Sequence, residues 1–199
     1  MTTEQVTSRP RAVNTAQVCL WVVLAALIAL AGWNSPTREG DIFVAHTVHL
    51  SLLFWFGGCF LLATRASRSS ARVAWTLGWL AFVIHVIAAF HYVHAWSHAE
   101  AFRHVEEVGG FGEGIFVSYA FLLFWTADVV WWWASPGSHR TRPGWLTRAW
   151  LGVMVFVTFN AGVVFEEGLV RWAVAGGLLL LVGVMLVPSR RSRASAGPL

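Results

Sequence analysis

The chain has 199 residues, of which 57% are hydrophobic and 12% charged, with 13 tryptophans and a mean hydropathy of +0.61. A soluble domain carries about 25% charged residues, so this composition excludes an ordinary soluble globule and indicates an all-α polytopic transmembrane bundle. The formal charge of +4 comes from arginine without any lysine; these arginines sit in short loops between apolar segments, so the expected partner is the lipid bilayer and not nucleic acid.

Residues 1–15 read as a cytoplasmic N-terminal segment. The domain that follows, residues 16–187, holds six apolar runs near the length of about 20 residues that spans a bilayer. They cover Ala16–Trp33, Ile42–Ala63, Val73–Tyr92, Gly114–Ala134, Trp145–Phe165 and Leu169–Val187. An alternative for the first run is a cleaved signal peptide, since Arg9 and Arg11 precede it and Ala29-Leu30-Ala31 closes it. The last two runs are joined only by Glu166-Glu167-Gly168 and should form an antiparallel hairpin. Residues 94–113 read as an outer helical extension of the third run, stopped by Gly109-Gly110. Residues 188–199 read as a disordered basic cytoplasmic tail.

Eleven of the 14 arginines fall on one side of this arrangement, and most of the acids fall on the other. The positive-inside rule then places both termini in the cytoplasm and makes the expected location a bacterial inner membrane. Cys19 and Cys59 lie within apolar runs, where they pack as small apolar residues and suggest no disulfide framework.

Seven of the eight histidines gather on the outer side: His46, His49, His85, His91, His94, His98 and His104. In a continuous helix His91, His94 and His98 would lie within about 60° of one another, because each residue turns about 100°. His49 and His91 would sit at similar depth on neighbouring helices. Imidazole is the commonest protein metal ligand, so this constellation is a candidate metal site, with Glu100 and Glu166 as possible co-ligands beside Glu106, Glu107 and Glu113. Iron, copper and zinc all accept such a donor set. Three other readings stay open. The histidines could be interfacial side chains with one wet end. His49 with His85 or His91 could be axial ligands of a b-type haem, although no histidine stands on a well-separated helix to oppose them. The imidazoles could also form a proton relay.

Asp128 lies near the inner end of the fourth run, just before Val129-Val130-Trp131-Trp132-Trp133. It is either part of a proton or ion route or a hydrated interfacial acid beside a tryptophan belt. Asn160, within the fifth run, is expected to hydrogen-bond across helices.

His94-Ala-Trp-Ser-His98-Ala-Glu, Asp128-Val-Val-Trp131 and Phe159-Asn160-Ala-Gly-Val-Val-Phe165 resemble stretches of uncharacterised bacterial integral-membrane proteins, over about the last two thirds of the chain. The resemblance implies a membrane location and no particular chemistry. The expected function is therefore a histidine-rich metal site at the outer face, suited to redox or oxygen-dependent chemistry on a lipid-soluble substrate. A metal-ion or proton transporter or assembly factor, and a structural subunit without metal, are the alternatives.

Overall fold

The computed structural model describes residues 39–164 and 168–186. The first run, its signal-peptide alternative, Glu166, Glu167 and the basic tail lie outside the described residues. Among the described residues seven α-helices follow in order: α1 (Glu39–Ala63), α2 (Arg68–Ala88), α3 (His98–Gly109), α4 (Gly114–Ala134), α5 (Pro136–Arg140), α6 (Gly144–Phe159) and α7 (Gly168–Leu186). One π-helical turn, Ala89–Val93, prolongs α2, and another, Asn160–Val164, prolongs α6. Five of these segments are long and apolar enough to cross a membrane: Ile42–Ala63, Arg68–Val93, Gly114–Ala134, Gly144–Val164 and Gly168–Met185. They match the second to sixth expected runs closely. The chain is a multi-pass membrane protein.

The α1–α2 hairpin is the centre of the fold. Ser67 caps α2 by accepting a hydrogen bond from the Ser70 amide, which satisfies one of the open donors of the first turn. The two helices approach closely because small residues line their contact. A Cβ built on Gly78 would stand 3.3 Å from both Ser51 O and Trp55 N. Ser51 uses the same closeness to donate its hydroxyl to Gly78 O at 2.9 Å.

The α4 helix packs on α2, and α7 packs on α1. Between them lies an aromatic core of Trp55, Trp75, Phe121, Trp125 and Trp132, extended by Met154 of α6 and Leu181 of α7. Trp75 meets Trp125 and Trp132 edge to face, at centroid distances of 5.8 and 6.4 Å, the geometry that the ring quadrupoles favour. Cys59 packs into this core as a buried apolar residue. The outward faces are apolar too: Leu123, Phe124, Trp172 and Leu179 are all exposed. Such a surface suits hydrocarbon rather than water as its neighbour.

The glycine-rich segment after α3 acts as the expected helix stop. Gly110 adopts φ 70°, a left-handed cap that glycine takes without Cβ strain, and its N–H bonds Glu106 O at 2.7 Å. Asn160 departs from expectation. Its amide donates to Phe156 O, four residues back in its own helix, rather than across to a neighbour.

Candidate functional site

Histidines of α1 and α2 come together at the same end of the hairpin. His46 Nδ1 lies 2.5 Å from Ile42 O, and His85 Nδ1 lies 2.9 Å from Val44 O across the helix pair. A carbonyl only accepts, so each Nδ1 carries a proton, and in the neutral ring Nε2 is the nitrogen with the lone pair. His46 and His49 share one face, with ring centroids 6.1 Å apart. His49 also lies within electrostatic reach of His85. Phe82 stacks on the His85 ring at 5.9 Å and fixes its plane.

The denser histidine run does not form the single face expected of it. The α2 axis ends in the π-helical turn, and the chain then reverses through Ala95 (φ 47°) and Trp96 (φ 61°). Left-handed backbone at non-glycine residues costs about 1–2 kcal/mol each, and here aromatic packing offsets it. Trp96 packs at a tilt against Phe90 and edges His91, and its indole N–H donates to His91 Nδ1 at 3.3 Å. A new helix, α3, then begins at His98, capped by Ser97 accepting from the Glu100 amide. The expected extension over residues 94–113 is thus a separate helix, His98–Gly109, and the three histidines part company. His91 is exposed on the π-turn. His94 is buried against His104, with centroids 5.2 Å apart. His98 is bonded to the Tyr119 hydroxyl of α4 at 3.0 Å.

Burial, reinforced by His104, holds the His94 imidazole below its ordinary titration range, against a smaller opposing pull from Glu100. Glu100 is itself paired with Arg103, one turn along α3. Glu107 flanks the same arginine at 3.7 Å. Among the described residues, no group of three or more His, Cys, Asp or Glu is disposed to hold a metal ion. The histidine end therefore offers imidazoles in two sets, His46, His49 and His85 on the hairpin and His94 with His104 on the reversal, rather than one closed ligand shell.

The opposite end holds a polar centre of which sequence reasoning found only one member. Asp128 is buried within the protein. Its Oδ1 lies 2.6 Å from Arg142 Nη1 and 3.2 Å from His139 Nε2, and those two nitrogens are 3.0 Å apart. The guanidinium is permanently charged, so it makes Asp128 half of an ion pair. His139 is clamped by Trp132, whose ring stacks on it at 4.5 Å and 9°. Asp128 Oδ2 and His139 Nδ1 are buried with no hydrogen-bond partner. His139 and Arg142 reach the carboxylate because Pro136 starts a one-turn helix, α5, that folds the chain back under α4. Ser135-Pro136, closely followed by basic residues, was the available signal.

No family model, no curated protein and no solved structure matches the chain.

Proposed function

We propose that this multi-pass membrane protein binds a transition-metal ion reversibly at its histidine end, as a handler of metal ions, with His46, His49 and His85, which form no ready-made ligand group, converging only when the ion binds. The observation that carries the reading is the common tautomer of His46 and His85. Both point Nδ1 at a main-chain carbonyl, so the neutral ring presents Nε2, the arrangement that orients imidazole as a metal ligand. Zinc, copper and ferrous iron all accept such nitrogens. Paired rather than closed ligand sets favour an exchangeable ion over a permanently held centre.

The test is a zinc titration of the purified protein in lipid nanodiscs, repeated on His46→Ala, His49→Ala and His85→Ala. Binding should weaken by about tenfold or more in each variant. No binding by the parent, or the same affinity in all four proteins, would sink the reading. Stoichiometric iron or copper that survives chelation would favour instead a redox or oxygen-dependent enzyme acting on a lipid-soluble substrate.

A second reading has its own support in the burial of His94 against His104. That pair would answer to protons rather than metal, making the reversal a pH sensor. A chelator-insensitive change in hydrogen exchange of α3 between about pH 5 and 7 would support it, and flat exchange across that range would remove it.

A further inference from the structure

The end of the molecule opposite the seven clustered histidines carries far more positive charge than its described residues compensate. Arg65, Arg68, Arg72, Arg140, Arg142 and Arg148 lie on the α1–α2 turn, the first turns of α2 and the α4–α5–α6 connection. Asp128 is the single carboxylate among the described residues there, and Arg142 already occupies it. Arg68, Arg72 and Arg140 have no ionic partner among the described residues. Yet they are not spread apart to limit repulsion. Arg68 lies close enough to Arg140 and Arg142 for their charges to oppose its own.

Arg72 is held in place by more than charge. Its guanidinium stacks 4.0 Å over the Trp133 ring, and that indole N–H donates to Thr76 Oγ1 at 2.9 Å. Arg72 Nε is buried without a hydrogen-bond partner. An aromatic-stacked guanidinium keeps its edge N–H groups free for a bidentate acceptor. Trp133 is half exposed where α4 leaves the lipid-facing surface, so the platform stands at the level of headgroups rather than of bulk solvent.

We infer that Arg68, Arg72 and Arg140, with Trp133 as the platform, form a binding site for the phosphodiester of an anionic phospholipid. Stacked Arg72 is the fixed anchor. Arg68, one turn away on α2, and Arg140, on α5, close on the headgroup from two elements. The bound anion would relieve the repulsion among these guanidiniums and tie α5 to α2, which the protein alone does through few contacts. A basic residue near an anionic membrane surface contributes about 1 kcal/mol, so each arginine should change anionic-lipid retention by about fivefold.

The experiment is native mass spectrometry of the full chain released from nanodiscs of mixed phosphatidylglycerol and phosphatidylcholine. The parent should retain phosphatidylglycerol preferentially. Arg72→Gln should lower that retention about fivefold, and Arg68→Gln/Arg140→Gln further, while Arg148→Gln on exposed α6 leaves it within twofold. Arg72→Lys, which keeps charge but loses stacking, should fall between Arg72→Gln and the parent. Should Arg72→Gln lose its helical circular dichroism, the double variant carries the test. Equal retention of the two lipids, or equal loss in Arg148→Gln and Arg72→Gln, would overturn the site in favour of diffuse surface charge. Displacement of the lipid by millimolar inorganic phosphate would overturn the lipid assignment, because the site would then recognise the free anion.

Discussion

Removing the charge of Asp128 isolates the one Arg–carboxylate pair buried among the described residues. The Asp128 and Arg142 side chains are 9% and 13% exposed, and His139 is 5% exposed, so the trio is largely but not wholly out of water. Breaking a fully buried pair by deleting one partner costs about 3–5 kcal/mol, chiefly because the other charge is stranded. Arg142 retains some access and a second bond from Nε to Thr147 Oγ1, so Asp128→Ala should cost about 3 kcal/mol. Asp128→Asn keeps the shape and one acceptor and loses the charge assistance, which puts it at about 2 kcal/mol. Arg142→Gln strands the carboxylate instead and should cost about 2 kcal/mol. The two changes remove the same interaction, so Asp128→Asn/Arg142→Gln should cost about 2–2.5 kcal/mol rather than the sum, a coupling of about 1.5–2 kcal/mol. Reversible unfolding in mixed micelles across this double-mutant cycle measures the term directly. Additive costs, with coupling below about 0.5 kcal/mol, would mean that Asp128 is not held by Arg142 and would refute the reasoning.

Three further outcomes follow from the packing and charge. His94 titrates lower in the folded chain than free imidazole, so its stabilising contribution is complete above about pH 6.5 and declines as pH falls below that value; amide exchange of α3 should accelerate on acidification, and His94→Gln should abolish the acceleration. Gly78→Ala inserts a methyl 3.2 Å from the Trp125 ring and 3.3 Å from α1 backbone, so it should destabilise the hairpin by about 1–3 kcal/mol in the same micelle assay. Ser97→Ala removes the acceptor for the Glu100 amide and should cost about 1 kcal/mol, seen as faster exchange confined to the first turn of α3.

The spans were legible because a bilayer imposes a length and an apolar composition that any sequence must display. Gly114–Ala134 was read to the residue, and Ile42–Ala63 lies within α1 and ends where it does. The histidine site was legible as composition and only partly as geometry. A continuous helix through His91, His94 and His98 was the natural extrapolation because no glycine or proline interrupts Ala89–Val108. The reversal depends instead on Trp96 packing against Phe90 and His91, a tertiary contact that no local pattern announces. One sign was present nonetheless: Ser97-His98-Ala99-Glu100 carries the Ser and Glu of a capping box three residues apart, which marks a helix start at His98. His139 is the eighth histidine and stands apart from the other seven in the sequence. Its partnership with Asp128 depends on α5 folding beneath α4, a turn of too few residues for periodicity to reveal.

The two ends bear on the choice between binding and conduction. A route from the hairpin histidines to Asp128 would run along α2, about 30 Å long at 1.5 Å per residue. The interior beside that path is packed with Phe82, Phe121, Trp125, Trp75 and Trp132 in mutual ring contact. Trp55, Trp75 and Trp125 bury their indole N–H groups in this layer without hydrogen-bond partners among the described residues. Ser51 and Thr126 spend their hydroxyl protons on the carbonyls of Gly78 and Leu122. Moving an ion through this layer would require the aromatic stack to separate, at the cost of its close packing. This packing is compatible with the two proposals acting separately, imidazoles at one end and arginines at the other. Trp125→Ala gives the sharpest contrast. A conducting protein would leak through the opened layer, whereas one that only binds would lose stability and keep its histidine-end affinity unchanged.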